Sequence, residues 1–268
     1  MRIAAPAETA AATRDIIAVK RLSKRYGSGA EPILALKDID FTVADGEFLS
    51  IVGPSGCGKS TLLKILAGLL PASEGEALLN GTPINGPRQD IGVVFQSPVL
   101  FPWRNVLNNV LLPADVQRLG RATMEKRAYE LLKLVGLDGF EQRYPWELSG
   151  GMQQRVALVR ALIHDPALLL MDEPFGALDA MTREAMNAEL QRIWLERRKT
   201  VVFITHSTSE AVFLADRVMV MTPRPGKIGD LFAVDLPRPR TLDMMTTEAF
   251  GTYVRRIRRA LNAGGGLE

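Results

Sequence analysis

The fold of this chain is decided by the stretch Gly53-Pro54-Ser55-Gly56-Cys57-Gly58-Lys59-Ser60. It fits the pattern G-x-x-x-x-G-K-S/T, in which glycines let backbone N–H groups turn inward around phosphate oxygens. An apolar run, residues 48–52, precedes the loop, and helical spacing follows it over residues 60–70. Because this is the strand–loop–helix setting that the pattern requires, the sequence predicts a phosphate-binding loop at the end of a buried strand.

Several residues of this loop are expected to have roles of their own. The helix N-terminus and Lys59 supply positive charge for phosphates, and Ser60 can ligate Mg²⁺. Cys57 is the only cysteine, which excludes an internal disulfide. Its place near a helix N-terminus favours a thiolate, and the alternative is a sterically shielded, inert cysteine. The expected nucleotide contacts in this region are Gly53, Ser55, Gly56, Cys57, Gly58, Lys59, Ser60 and Thr61.

Short apolar runs of strand length recur along the chain, at residues 16–19, 39–43, 77–79, 91–95, 167–171, 201–205 and 218–221. Helical spacing lies between many of them, and residues 106–164 carry helical spacing without a convincing strand. The prediction is an α/β fold: a P-loop NTPase core with a mostly parallel sheet, an antiparallel β portion near the N-terminus and an inserted helical subdomain. The predicted divisions are a flexible tail (1–14), the ATP-binding core (15–96 and 165–235), the helical subdomain (97–164) and a basic helical extension (236–268).

Two carboxylates follow one of the apolar runs. Asp172 and Glu173 come directly after residues 168–171, and buried parallel strands deliver their following residues to the edge where ligands sit. Asp172 would hold the Mg²⁺ shell, and Glu173 would orient or deprotonate an attacking water. Paired acids after a strand are also typical of a loop and helix start, and the phosphate loop upstream favours the catalytic interpretation.

A second candidate anion site begins at Ser149. This serine is placed to cap a helix, and Gly150 and Gly151 leave backbone N–H groups uncovered. The helix is expected to run to His164, whose place in the last turn would complement the helix dipole. Taken alone, the pattern favours a plain helix cap.

The order of the motifs resembles that of an ABC-type ATPase over residues 16–225. The matching features are the phosphate loop, Gln96 after a strand, residues 148–155, Asp172 with Glu173, Ala177-Leu178-Asp179, and His206 after a strand. The resemblance implies that Ser149, Gly150 and Gly151 contact the γ-phosphate of ATP held by a second copy in a head-to-tail dimer. It departs from the family's common pattern at Ser207, where many members carry aspartate.

The same resemblance implies roles for residues that would be uninformative alone. Gln96 would sense Mg²⁺ and the permease, and His206 would touch the γ-phosphate. Asp179 would lie at the dimer seam, and Tyr26 matches the aromatic residue on which adenine stacks. The catalytic set is therefore Glu173, His206 and Gln96, and the metal ligands are Ser60, Gln96 and Asp172.

Two segments resemble importers of the nitrate, sulfonate and taurine type. They are Gly-Gly-Met-Gln-Gln at residues 150–154 and the stretch 97–106, supported by residues 220–226 and 237–240. In that family a short permease helix enters the groove beside the glutamine loop, so Phe101, Pro102 and Trp103 are candidate contacts. The alternative is that Trp103 packs internally. The resemblance implies ATP hydrolysis at the cytoplasmic face of the cell membrane, with permease subunits and, indirectly, a periplasmic or lipid-anchored solute-binding protein as partners.

A non-transport ABC ATPase acting on nucleic acid or ribosomes is the competing hypothesis. Only 52 residues separate Gln96 from Ser149, which leaves no room for the long coiled coil of DNA-repair relatives. The net charge of +3 is too small to argue for nucleic acid, and no apolar run approaches the roughly 20 residues that cross a bilayer. We therefore expect no nucleic-acid partner.

The C-terminal extension carries an amphipathic helical pattern and much of the basic excess. Apolar positions Phe250, Val254, Ile257 and Leu261 form one stripe, while Arg255, Arg256, Arg258 and Arg259 occupy other faces. This predicts a helix docked on its own core with a solvated basic side. Contact of that side with anionic lipid headgroups is the alternative.

Overall fold

Two β-sheets organise the protein, and the strand order separates them cleanly. The computed structural model describes residues 14–27 and 32–263, so the predicted tail lies outside the described residues except for Arg14. A six-stranded sheet has the order β10-β9-β3-β8-β7-β6, and a four-stranded sheet has the order β2-β1-β4-β5. The strands are β1 (Asp15–Tyr26), β2 (Ile33–Ala44), β3 (Phe48–Val52), β4 (Glu74–Leu79), β5 (Thr82–Pro83), β6 (Ile91–Val94), β7 (Leu168–Asp172), β8 (Thr200–Ile204), β9 (Arg217–Met221) and β10 (Ile228–Ala233). The helices are α1 (Lys59–Leu66), α2 (Val106–Val116), α3 (Arg121–Leu134), α4 (Gly150–Leu162), α5 (Ala180–Arg197), α6 (Thr208–Leu214) and α7 (Glu248–Ala263).

The large sheet is parallel except at one edge. β3 pairs in parallel with β8 and β9, β8 with β7, and β7 with β6, whereas β10 is antiparallel to β9. β3 and β8 are buried along their whole length, which explains why they appear in the sequence as unbroken apolar runs. The α/β prediction and the antiparallel portion near the N-terminus, formed by β1, β2, β4 and β5, are confirmed.

The two faces of the large sheet bury different parts of the chain. Along β7, Leu168 and Leu170 face a core shared with α1 and the antiparallel sheet, while Leu169 and Met171 face a core shared with α2 to α7. This alternation follows from the two-residue period of a strand. The carboxyl ends of β3, β7 and β8 are therefore fixed from both sides.

Helix α4 is hydrogen-bonded to the segment that follows β6. Gln154 Nε2 donates to the carbonyl of Phe95 at 3.1 Å, and the Arg160 guanidinium donates to the carbonyls of Pro98 and Val99, both at 2.7 Å. Burial lowers the pKa of Arg160. These contacts join the helical part of the chain to the segment that begins at Gln96.

The prediction for His164 is wrong. α4 ends at Leu162, so His164 lies beyond the helix, and burial lowers the pKa of its imidazole. Both ring nitrogens are shielded from solvent and have no hydrogen-bond partner among the described residues. A neutral imidazole does not complement a helix dipole as a cation would.

The C-terminal helix packs on the core, as the apolar stripe predicted. Phe250 and Ile257 are buried in the core shared with the other helices, and Val254 and Leu261 pack against it. On the basic side, Arg256 pairs with Asp230 at 2.9 Å. Among residues 14–27 and 32–263, no helix has both the length and the apolar character needed to cross a membrane.

The basic stretch 237–240 is structural rather than a solvated surface. Arg240 is 3% exposed and donates to the carbonyls of Val212 and Ala215 at the end of α6, each at 2.7 Å. Burial lowers the pKa of Arg240 to about 10, which leaves it charged at neutral pH. Arg238 lies over the Trp194 ring at 4.3 Å. A sequence count of charges could not reveal this, because arginine can satisfy several buried carbonyls at once.

Candidate active site

The phosphate loop ends in an α-helix whose first turn has no side-chain cap. Gly58, at the N-cap of α1, has a φ of 105°, a left-handed conformation that favours glycine. Lys59 is 5% exposed, and its Nζ donates to the carbonyls of Gly53 at 2.8 Å and Pro54 at 3.0 Å. The ammonium group is therefore held within the loop, beside N–H groups that no side chain covers.

Cys57 contributes its backbone to this loop and not a reactive thiol. The side chain is fully buried, and burial raises the pKa of the Cys57 thiol. A Cβ added at Gly53 would lie 2.8 Å from Cys57 Sγ, which shows how closely the sulfur packs beneath the loop. The predicted thiolate is wrong because burial outweighs the nearby positive charges.

Two hard oxygen donors meet at the end of β7. Ser60 Oγ donates to Asp172 Oδ1 at 3.2 Å. Within the described ranges, no group of three or more histidine, cysteine, aspartate or glutamate side chains is arranged so that it could hold a metal ion. A pair of oxygen donors beside a phosphate loop fits Mg²⁺, because this ion is usually held by one or two protein groups, phosphate oxygens and several waters.

The three residues predicted to be catalytic lie together. His206 Nε2 is 2.6 Å from Glu173 Oε1, and Gln96 Nε2 donates to Glu173 Oε2 at 3.4 Å. Glu173 has a φ of 48°, an uncommon conformation for this residue type, and its N–H donates to the carbonyl of Ile204 at 3.0 Å. Strained backbone of this kind is found at functional sites where surrounding contacts enforce it.

A second layer of polar residues, which the sequence analysis missed, supports His206. The Thr205 hydroxyl donates to the Glu210 carboxylate and accepts from Ser207 N at 2.9 Å. Ser207 Oγ accepts from Glu210 N at 3.2 Å, so serine caps α6 here, a role that aspartate also fills well. The spacing S-x-x-E at residues 207–210 is a capping-box pattern and was the available signal.

Glu210 is a buried carboxylate directly behind the catalytic cluster. Burial raises its pKa, and Arg183 Nε lies 3.7 Å from its Oε1. A cavity of about 180 Å³ joins the two groups to the catalytic residues. Its lining includes Gln96, Glu173, Arg183, Thr205, His206 and Glu210.

An open cleft of about 340 Å³ brings Tyr26 and five residues of the phosphate-loop region together with Glu173 and His206. Its lining consists of Tyr26, Ile33, Ala35, Gly56, Gly58, Lys59, Ser60, Thr61, Glu173, His206 and Arg224. Tyr26 is 40% exposed, and its hydroxyl lies 3.2 Å from Thr61 Oγ1. The lining therefore combines the Tyr26 ring with Glu173 and His206 of the catalytic cluster.

The residues at the start of α4, Ser149, Gly150 and Gly151, are not among the described residues that line this cleft. Ser149 Oγ accepts from Met152 N at 3.3 Å, as expected of an N-cap, and Gly150 would accept a Cβ with no described atom within 4 Å. Asp179 caps α5 by accepting from Thr182 N at 3.0 Å, and its hydrogen bonds to Thr182 lower its pKa. Within the described part of the chain, the cleft lining includes no residue of the 149–151 segment and not Asp179.

A stacked aromatic pair, in which Trp103 is exposed and Phe101 is half-buried, follows the Gln96 segment. Trp103 is 71% exposed and stacks on Phe101 with ring centroids 5.0 Å apart, so internal packing of Trp103 is wrong. Buried Asn109, which the sequence analysis did not single out, fixes this loop. Its Oδ1 accepts from Phe101 N at 2.8 Å, and its Nδ2 donates to the carbonyl of Arg104 at 2.8 Å.

Comparisons with known proteins agree with this geometry. The family model described as "ABC transporter" matches residues 36–176. The chain is 45% identical over 241 residues to the aliphatic sulfonates import ATP-binding protein SsuB of Bacillus licheniformis, covering 90% of this chain and 92% of that one. It is 45% identical over 223 residues to the taurine import ATP-binding protein TauB of Pseudomonas savastanoi pv. phaseolicola, covering 83% and 85%. A solved dimeric structure of the ATP-binding cassette MJ0796, in a post-hydrolysis state bound to ADP and Pi, is similar with a TM-score of 0.72 and 36% identity, covering 82% of this chain and 100% of that chain.

Proposed function

Because the chain belongs to the ABC transporter family, we propose that it is the ATP-binding and ATP-hydrolysing subunit of an importer. The solute would be small and of the nitrate, sulfonate or taurine type, and it would cross through a separate permease. The observation that carries the proposal is the single cleft in which Lys59, Ser60, Glu173 and His206 converge. Relatives named for sulfonate and taurine import support the solute class.

Nucleotide binding in this proposal uses the length of the cleft. Adenine stacks on Tyr26, while the uncapped N–H groups of the loop and the Lys59 ammonium receive the phosphates. Ser60 and Asp172, whose oxygens are 3.2 Å apart, are the residues that would hold Mg²⁺. When bound, Mg²⁺ neutralises charge on the outer phosphate oxygens.

Hydrolysis in this proposal depends on Glu173. The carboxylate accepts a proton from the attacking water or orients it, and the contacts from His206 and Gln96 hold it in place. Phosphoryl transfer needs little from the protein beyond positioning and charge stabilisation, so loss of this carboxylate should affect turnover far more than binding. His206 also lies where it can touch the γ-phosphate.

A second copy would complete the site. The cleft contains no residue of the 149–151 segment among its described lining, yet α4 begins with uncovered N–H groups suited to an anion. In a head-to-tail dimer with a twofold axis, Ser149, Gly150 and Gly151 of each copy meet the nucleotide of the other, with Asp179 at the seam. The similar MJ0796 cassette was captured as a dimer, which supports this arrangement.

The remaining partners would be membrane-bound. Phe101, Pro102 and Trp103 would receive a cytoplasmic helix of the permease, and exposed Trp103 stacked on Phe101 is suited to such a contact. The chain would then be a peripheral subunit at the cytoplasmic face of the inner membrane. A periplasmic or lipid-anchored solute-binding protein would act through the permease, and no nucleic acid is involved.

Growth of a strain that lacks the gene tests this function. We expect the wild-type gene to restore growth when taurine or an alkanesulfonate is the sole sulfur source, or nitrate the sole nitrogen source. Glu173→Gln should not restore it, whereas Glu130→Gln, on an exposed part of α3, should. Unimpaired growth of the deletion strain on all of these sources would contradict the proposal.

A further inference from the structure

Arg224 is a charged residue of the cleft that none of the motifs explains. It lies in the loop 222–227 between β9 and β10, with an exposed side chain, and it lines the same cleft as Tyr26 and Lys59. The sequence stretch around it was useful only as a sign of the importer branch. The structure places it in the lining of the cleft, together with Lys59, Glu173 and His206.

The loop that carries Arg224 is fixed to both walls of the cleft. Gly226 N donates to the carbonyl of Ala35 at 2.9 Å, and Lys37 N donates to the carbonyl of Gly226 at 3.0 Å, which joins the loop to β2. A Cβ added at Gly226 would lie 2.0 Å from the carbonyl oxygen of Cys57, so the loop also touches the phosphate loop. Arg224 is therefore positioned by backbone contacts and does not depend on its own side chain for placement.

The strand order decides which part of a nucleotide Arg224 can reach. The phosphate loop follows β3. His206 follows β8 and Glu173 follows β7, so both lie on the same side of the phosphate loop. Arg224 follows β9, which pairs with the opposite edge of β3. It thus enters the cleft from the side opposite the catalytic cluster, between the Tyr26 wall and the phosphate loop.

We propose that Arg224 is a nucleotide-binding residue that pairs with the α-phosphate of ATP. This inference rests on the proposed binding of ATP in the cleft. With adenine on Tyr26 and the outer phosphates in the loop, the α-phosphate lies between the two, which is where Arg224 enters. A guanidinium is suited to this contact because its planar N–H donors match phosphate oxygens.

Binding measurements on the full chain with Mg²⁺ test the inference. By titration calorimetry, Arg224→Ala should weaken binding of ADP and of a non-hydrolysable ATP analogue about tenfold, as expected for loss of one charge-assisted contact. It should leave the affinity for inorganic pyrophosphate unchanged, since that probe has only two phosphates, which take the β- and γ-positions in the loop. Arg224→Lys should recover part of the lost affinity.

Lys227→Ala is the matched control, because it removes the same charge from the same loop at a position that does not line the cleft. It should leave all three affinities unchanged, and Arg224→Gln serves as a second substitution should the alanine variant fold poorly. Unchanged ADP and analogue affinity in Arg224→Ala and Arg224→Gln would overturn the inference, and so would an equal loss for pyrophosphate. A wild-type chain that binds none of the nucleotides would instead overturn the proposed function itself.

Discussion

The N-termini of α1 and α4 use the same chemistry in opposite ways. Both have glycine at or next to the first residue of the helix, and both present backbone N–H groups that can bind an anion. α1 starts without a side-chain cap, and Lys59, Ser60 and Asp172 surround it. α4 starts after the cap Ser149. Within the described part of the chain, the cleft lined by Lys59 and Glu173 includes no residue of α4.

We infer from this difference that a helix N-terminus alone supplies only half of a phosphate-binding site. The dipole and the free N–H groups attract an anion, but the outer phosphates of ATP also need cations and a positioned water. One helix has these groups and the other does not. The two helix N-termini can bind the same phosphate only if a twofold axis brings α1 of one copy next to α4 of the other.

The largest expected effect comes from the catalytic end of the cleft. Glu173→Gln should lower ATP turnover by about 10²- to 10⁴-fold, the usual range for loss of a general base, and should preserve nucleotide binding. An ATP-bound dimer should accumulate, visible by gel filtration with trapped nucleotide. Glu130→Gln is the control, and steady-state turnover within about twofold of wild type in Glu173→Gln would remove the proposed role of the carboxylate.

The α4 end should separate turnover from binding. Gly150 has open space around it, so Gly150→Ala adds a methyl group without a clash and Gly150→Asp adds a negative charge where phosphate is expected. Gly150→Asp should lower turnover at least about tenfold while monomer affinity for nucleotide stays unchanged, because the affected phosphate belongs to the other copy. Gly151 is less suitable, since a Cβ there would lie 3.1 Å from Thr182 Cγ2. Weaker binding by the Gly150→Asp monomer would break the comparison.

Local pattern was enough to predict the phosphate loop, the buried strands and the apolar face of α7, because each depends on periodicity or on a contiguous motif. It failed where a residue's surroundings come from distant parts of the chain. The position of Cys57 near a helix N-terminus predicts a thiolate, but its side chain is buried, and nothing in the local pattern indicates that Arg240 is buried against backbone carbonyls. β10 was missed because its burial pattern is mixed, and Glu210 because its partners belong to a turn and another helix.

The buried imidazole of His164, beyond the end of α4, should make the free energy of unfolding depend on pH. Burial lowers the pKa of His164 in the folded protein, so the unfolded chain binds the proton more tightly. The stabilising effect of the neutral imidazole is present above the unfolded pKa of about 6.5 and is lost as the pH falls through the folded value. The unfolding free energy of wild type should therefore decline below about pH 6.5, and that of His164→Leu should decline less. With only two histidines in the chain, His206→Gln is the control. Equal slopes in wild type and His164→Leu would contradict the expectation.

The smallest effect is expected at Cys57. This residue lies in the phosphate loop before α1, but its side chain is buried and does not line the cleft. Because the thiol is buried and its pKa is raised, Cys57→Ala should change nucleotide affinity by less than about twofold. Iodoacetamide should modify the native protein far more slowly than the urea-unfolded protein, whether or not ATP is present. Rapid modification that ATP blocks would show that the sulfur faces the cleft.

Mixing two defective variants tests the central claim most directly, namely that each site is built from α1 of one copy and α4 of the other. Lys59→Ala should disable both sites of a homodimer, and so should Gly150→Asp. In a mixed dimer both defects fall in one site and the other is wild type, and random pairing makes about half of the dimers mixed. The account predicts that ATP is occluded in the mixture and in neither variant alone. No occlusion in the mixture, under conditions where the wild-type chain traps ATP, would contradict it.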